Sequence, residues 1–125
     1  MDPTELQAQL ALFTGSETFA RHILVPRVVM TEGVMFLAKA AAAFWLIDAI
    51  ASYQCDKRVL AEAFQVWRLK VDPAARNGVL TMTDGNSPEQ IVTQSLDYTD
   101  FPLEVITLWL VDDNRHQVLM LPSEY

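Results

Sequence analysis

The sequence contains a single cysteine, Cys55, and only four glycines among 125 residues. One cysteine cannot form a disulfide within the chain, and a metal site built on several thiolates is excluded. The glycines stand far apart, so no glycine-rich phosphate-binding loop is present. The first residues, Asp2 to Glu5, include acidic side chains, whereas a secretory signal peptide begins with basic ones. We therefore expect a protein of the reducing cytoplasm, which also fits the single cysteine.

Basic side chains are nearly absent from the last part of the chain. Residues 1–77 hold eight acidic and eight basic side chains, whereas residues 78–125 hold eight acidic side chains and only Arg115 as a base. The net charge of −7 is therefore confined to the last 48 residues. This asymmetry argues against direct binding of nucleic acid and favours a partner with a basic surface.

The sequence also lacks a long uninterrupted hydrophobic run. The most apolar stretch, Val34 to Ile50, contains Lys39 and Asp48, which would be costly at the centre of a bilayer. We expect a buried helix of a soluble protein and no membrane association. With 51% apolar and 20% charged residues, residues 1–125 are predicted to form a single domain with its own core.

The patterning predicts an α+β fold. Asp2 and Pro3 are typical of a helix start, and they indicate a short N-terminal helix. Thr31 can cap a second, long helix that runs to about Tyr53 and is apolar nearly all round from Val34. That pattern predicts one long central helix, buried on most sides.

Strand-like alternation begins at Phe64 and is broken by turn signals such as Asn77-Gly78. Short connections of this kind favour a four- to five-stranded antiparallel meander, on which both helices pack. Ile106, Leu108 and Leu110 are predicted to face the central helix, with Trp109 on the opposite face. The predicted strands are 64–71, 79–84, 91–98, 105–111 and a short one at 118–121.

Candidate catalytic residues are few. His22 has no cysteine or carboxylate four residues away, and Asp112 and His116, which are four apart, span a predicted turn and not a helix, so no metal and no cofactor are predicted. Asp48 lies in the most apolar segment, where a carboxylate must be paired, hydrogen-bonded or protonated if it is buried. It is either a site carboxylate in a pocket, or a helix residue that faces solvent or pairs with Arg21, Arg27 or Lys39.

Several short motifs resemble those of a family of small uncharacterised bacterial proteins, a domain of unknown function often associated with phages or plasmids. The resemblance implies no assigned activity and no catalytic residues. It also implies a context, since small proteins of mobile elements commonly block host defences by binding. The motifs include Trp45-Leu46-Ile47-Asp48-Ala49-Ile50, Tyr98-Thr99-Asp100-Phe101-Pro102 and Leu121-Pro122-Ser123-Glu124-Tyr125.

The leading functional hypothesis is a non-enzymatic inhibitor of a bacterial defence system, of the anti-CRISPR type. Carboxylates on a rigid sheet can imitate phosphates and occupy a basic channel of a host protein or nucleoprotein complex. Turn chemistry alone also explains Asp84, Asp112 and Asp113, because aspartate is common in turns. The predicted partner-binding residues are Asp97, Asp100, Glu104, Asp112, Asp113 and Glu124.

The alternative hypothesis is a small-ligand-binding module or minor enzyme. Its pocket would lie between the central helix and the sheet, lined by Arg21, His22, Asp48 and Tyr98. These polar residues could equally belong to a buried hydrogen-bond network that joins helix and sheet. A homodimer that shares the long apolar helix is a third possibility.

Overall fold

The computed structural model describes residues 2–15 and 17–125, which form four helices, one seven-stranded sheet and a C-terminal 3-10 turn. The mixed α/β fold that the sequence predicts is confirmed at this level. The helices are α1 (Pro3–Leu10), α2 (Glu32–Ala40), α3 (Phe44–Tyr53) and α4 (Lys57–Leu60), and the 3-10 turn is Pro122–Glu124. The strands are β1 (Ala20–Arg21), β2 (Val28–Met30), β3 (Phe64–Asp72), β4 (Asn77–Thr83), β5 (Val92–Leu96), β6 (Val105–Asp112) and β7 (Gln117–Met120).

Helix α1 begins as its sequence indicates. The Asp2 side chain accepts a hydrogen bond from the backbone N–H of Glu5 at 2.9 Å, and Pro3 occupies the first helical position. Leu6 and Leu10 are buried, which anchors the helix to the core. The N-terminal helix is therefore confirmed.

The single long central helix was a wrong prediction, because the chain forms α2 and α3 with a break between them. Ala42 has a φ of 51°, in the left-handed region, and ends α2. The N–H of Ala42 donates to the carbonyl of Lys39 and the N–H of Ala43 donates to that of Ala38, the two bonds of a Schellman motif. The C-terminal carbonyls of α2 are satisfied in this way. Within the described residues, no helix is long and apolar enough to cross a membrane.

The meander was also a wrong prediction, although strands β3 to β7 lie close to the predicted segments. The sheet order is β1-β2-β7-β6-β3-β4-β5, so β6 pairs with β3 instead of with β5. The chain crosses the end of the sheet between β5 and β6, and Phe101 and Leu103 are buried in this crossing. Two further strands, β1 and β2, were missed; β2 pairs parallel with β7.

The four helices that the structure describes pack against one face of the sheet and not against the other. Helix residues form one hydrophobic cluster with inward-facing strand residues, among them Trp67, Leu69 and Leu108. Ile106, Leu108 and Leu110 belong to this cluster, as predicted, and Trp109 points to the opposite face. We call that opposite side, formed by the outward-facing residues of β3, β4, β5 and β6, the open face.

Candidate functional site

Two of the predicted partner-binding aspartates, Asp112 and Asp113, organise the turn between β6 and β7. The Asp112 carboxylate accepts the N–H of Asn114 at 2.8 Å. The Asp113 carboxylate accepts the N–H groups of Arg115 at 2.9 Å and His116 at 2.6 Å. Both carboxylates therefore stabilise the turn by accepting hydrogen bonds from its backbone, as turn chemistry alone predicted for these two aspartates.

Glu124 is also engaged inside the protein, at the N-terminus of α2. One carboxylate oxygen accepts hydrogen bonds from the Thr31 hydroxyl at 2.6 Å and from the Leu121 N–H at 3.0 Å, and the other accepts the Gly33 N–H at 3.2 Å. A carboxylate in this position satisfies free helix N–H groups and interacts favourably with the helix dipole. We call this arrangement the Glu124 clamp, because it ties the C-terminus of the chain to α2.

The turn aspartates should make the stability of the protein depend on pH. Hydrogen bonds from the N–H of Ser87, and then of Asn86, lower the pKa of Asp84. Those from the N–H of His116, and then of Arg115, lower the pKa of Asp113. A lowered folded-state pKa means that each ionised carboxylate contributes stability above its unfolded pKa and that this contribution is lost as pH falls through the folded pKa.

We expect the Asp84→Asn/Asp113→Asn variant to lose less stability than the wild type between pH 6 and pH 2.5. The measurement is the urea midpoint of unfolding at a series of pH values. An Asp97→Asn/Asp100→Asn variant is the control, and it should keep the acid sensitivity of the wild type. An equal loss of stability in the wild type and in the turn variant would contradict the role of these two turns.

The other predicted partner-binding carboxylates, Asp97, Asp100 and Glu104, lie together on the crossing between β5 and β6. All three residues are exposed, and their carboxylates make no hydrogen bond or ion pair within the described residues. Tyr98 stands among them with 65% of its surface exposed. We call residues 97–104 the acidic segment.

The backbone of the acidic segment is fixed to the sheet. The N–H of Thr99 donates to the carbonyl of Arg76 at 2.8 Å, and the carbonyl of Glu104 accepts the N–H of Val71 at the same distance. The buried Phe101 and Leu103 lie between the exposed Asp100 and Glu104 and hold the segment against the core. The acidic segment therefore presents its side chains from a well-anchored backbone.

His22 and Asp48, two of the residues predicted to line a pocket, are in direct contact. The Nε2 atom of His22 lies 2.8 Å from a carboxylate oxygen of Asp48 on α3. The Nδ1 atom accepts the N–H groups of Leu24 at 3.2 Å and Val25 at 3.1 Å, so the proton that bonds Asp48 is on Nε2. The Asp48 side chain is 69% exposed, whereas that of His22 is only 8% exposed.

This pair holds the tip of the hairpin between β1 and β2 against α3. The side chains of Ile23 and Leu24 project from that tip and are 91% and 85% exposed. Tyr98 follows β5, at the other edge of the sheet from β1, and Arg21 is exposed on β1. The four residues therefore do not line one pocket, and the partner of Asp48 is His22.

A buried network of glutamines was missed in the sequence. The amides of Gln54 and Gln65 bond each other reciprocally at 2.9 Å, and Gln65 also accepts the indole N–H of Trp67 at 2.9 Å. Gln117 donates to Gln54 at 2.8 Å, and all three glutamines are buried. One signal was available, because Gln65 occupies an inward position of β3, two residues before Trp67.

The described residues contain no group of three or more histidine, cysteine, aspartate or glutamate side chains that could hold a metal ion. Fold and site together define a mixed α/β protein with an anchored acidic segment at one end of its sheet. The chain belongs to a family of unknown function, DUF6876, whose family model matches residues 4–125. Comparison with curated proteins and with solved structures found no match. The predicted membership in a family of unknown function is thus confirmed.

Proposed function

We propose that this chain is a non-enzymatic binding protein whose acidic segment engages a basic surface on a host protein or nucleoprotein complex. In its specific form, the proposal is a mobile-element-encoded inhibitor of a bacterial defence system, of the anti-CRISPR type, that acts in the cytoplasm. The observation that carries the proposal is the separation of the C-terminal carboxylates into two groups. Asp112, Asp113 and Glu124 serve internal contacts, whereas Asp97, Asp100 and Glu104 do not.

Electrostatics supports this use of the acidic segment. Three carboxylates without an internal partner create a local negative potential, and a protein of net charge −7 adds a long-range attraction for basic surfaces. An anchored backbone reduces the entropy that is lost when the segment is immobilised in a complex.

Tyr98 gives the segment a second kind of contact. Tyrosine is enriched among the residues that contribute most to protein–protein binding, because it combines a large apolar surface with a hydroxyl group. Tyr98 is exposed between Asp97 and Asp100, so a partner can reach its ring and the neighbouring carboxylates together. This arrangement is suited to binding rather than to catalysis.

Charge reversal provides the test of the proposal. Replacement of Asp97, Asp100 and Glu104 by lysine is expected to abolish binding of the partner and to leave the fold intact. The reversal of Glu5, Glu17 and Glu89, which are exposed and outside the segment, gives a control variant of identical net charge. Binding is measured by pull-down and the fold by circular dichroism and urea unfolding.

The control separates a specific surface from a general charge effect. The proposal requires that only the variant of the acidic segment loses the partner, and that the wild-type complex dissociates as salt rises. Equal loss in both variants would attribute binding to net charge alone and would contradict the assignment of the segment. Undiminished binding by the segment variant would contradict it as well.

A further inference from the structure

The register of the sheet places two rows of side chains, each with one cation, side by side on the open face. Directly paired residues in antiparallel strands point to the same face. Read from β5 to β6, one row is Thr93, Thr81, Arg68 and Thr107, and the next is Ser95, Val79, Lys70 and Val105. Arg68 therefore lies between two threonines, and the neighbouring Lys70 lies between two valines.

Among the described residues, Arg68 and Lys70 are not ion-paired, although Glu104 lines a neighbouring shallow pocket with them on the β6 side. They are two residues apart on β3, which separates their Cα atoms by roughly 7 Å. Neither forms an ion pair with a carboxylate in the described part of the chain, and the only side-chain hydrogen bond of Arg68 there is one of 3.4 Å to the Thr107 hydroxyl. The two rows contain no acidic residue, although the chain has 16. This part of the open face is thus a positive region of an acidic protein.

A groove of about 400 Å³ opens over the β3 and β4 residues of the two rows, a volume within the range of small-molecule sites. Strands β3 and β4 form its floor, and the loop between β4 and β5 forms its wall. That loop is held in shape by Asp84, whose carboxylate accepts the N–H groups of Asn86 and Ser87. The groove is lined by Val66, Arg68, Lys70, Val79, Thr81, Thr83, Ser87, Pro88 and Gln90.

We propose that this groove binds a small phosphomonoester that carries a planar ring. Arg68 and Lys70 together match the two negative charges of a phosphate, and the arginine can bond two phosphate oxygens at once. The Thr81 hydroxyl lies in the row of Arg68 and donates only a long hydrogen bond, 3.5 Å, to the Arg68 carbonyl, which a phosphate oxygen can replace. Val66, Val79 and Pro88 supply an apolar surface for the ring.

The charge of the whole chain favours a small ligand over a nucleic acid. Each phosphate contact by a Lys or Arg adds to polyanion affinity, and this site offers two cations. A net charge of −7 repels a long polyanion, whereas a single phosphate meets only the local field of the groove. The site lies on the open face and does not depend on the function proposed for the acidic segment.

The test is a titration of the ¹⁵N-labelled protein with adenosine monophosphate, in which binding is monitored through the amide chemical shifts. We expect saturable shifts in residues 66–70, 79–83 and 87–90, and much weaker binding of adenosine, which lacks the phosphate. Arg68→Gln/Lys70→Gln should lower the affinity about tenfold or more. The control Arg27→Gln/Lys57→Gln, which removes an exposed arginine and lysine elsewhere, should bind like the wild type.

Three results would overturn the proposal. They are the absence of saturable shifts on the open face, equal affinity of the Arg68→Gln/Lys70→Gln variant and the wild type, and equal affinity for adenosine and its monophosphate. If a thymidine oligonucleotide bound the open face more tightly than adenosine monophosphate, the ligand of this site would be single-stranded nucleic acid and not a small phosphomonoester. None of these results would bear on binding by the acidic segment, so the two proposals can fail separately.

Discussion

Replacement of Gln65 by alanine is expected to lower the free energy of unfolding by about 4 kcal/mol, because it opens a cavity and leaves several buried polar groups without partners. Gln65 is completely buried, and its two amide N–H groups are shared among three acceptors, the Gln54 side chain and the carbonyls of Val59 and Glu62. Its own carbonyl accepts from Gln54 and from the indole of Trp67. The side chain thus joins α3, α4 and β3, and urea unfolding measures the loss.

Two further substitutions test whether the expected loss of stability comes from the several hydrogen bonds of Gln65 or would follow from the replacement of any buried or half-buried glutamine. Gln94→Ala removes one hydrogen bond, from the Tyr53 hydroxyl, at a half-buried position, and it should cost only about 1 kcal/mol. Gln117→Leu removes one bond of the network, to Gln54, and should cost less than Gln65→Ala, because the side-chain oxygen of Gln117 has no hydrogen-bond partner in the described structure. Similar losses for all three variants would show that Gln65 has no special role.

The second large effect is expected at the Glu124 clamp. Glu124→Ala should destabilise the protein by about 3 kcal/mol, since it removes the acceptor of the Thr31 hydroxyl and of the Gly33 and Leu121 N–H groups. Thermal and urea unfolding both report this loss. Asp100→Ala, which removes a carboxylate without such contacts, should change the stability by less than about 0.5 kcal/mol.

Gly33 provides an independent test of the clamp. A Cβ atom at this position would lie 2.6 Å from Oε1 of Glu124 and 2.6 Å from the Cδ1 atom of Leu121. Gly33→Ala should therefore cost about 2 kcal/mol, although alanine has the better helix propensity. The cost should shrink when Glu124 is already alanine, because one of the two clashing groups is gone. Strict additivity of the two substitutions would contradict the clamp.

Local patterns in the sequence predicted the later strands and the turns. Alternation placed Leu108 and Leu110 inward and Trp109 outward, because the side-chain period of a strand follows directly from its backbone. The turn role of Asp113 follows from the ability of aspartate to bond N–H groups two or three residues ahead. Such features depend on neighbours in sequence, so a single sequence is enough to predict them.

The helix break and the strand order depend on contacts that a single sequence does not display. Ala42 takes the left-handed conformation that usually needs glycine, and nothing in a run of alanines signals a helix end. Strands β1 and β2 have two and three residues, too few to show a period. The pairing of β6 with β3 depends on burial of the crossing around Phe101, which is a tertiary effect.

The sequence named more candidate binding residues than the acidic segment contains, and it did not reveal their arrangement. The sequence identified Asp97, Asp100 and Glu104 as candidate binding residues, and the structure places them on one anchored segment. Nothing in the sequence separates these three residues from Glu124, because the partner of Glu124, Thr31, lies 93 residues away along the chain. His22 and Asp48 were grouped correctly as neighbours, yet their contact serves the hairpin tip instead of a pocket.

The proposed binding of a basic partner by the acidic segment is tested most directly by a parallel pull-down from a bacterial lysate that contains active defence systems. Tagged wild type, the Asp97→Lys/Asp100→Lys/Glu104→Lys variant and the Glu5→Lys/Glu17→Lys/Glu89→Lys control are compared by mass spectrometry after washes at low and moderate salt. We predict that wild type and control enrich one nucleic-acid-binding complex, which is released as salt rises, and that the segment variant does not retain it. Retention of that complex by the segment variant would contradict the proposal.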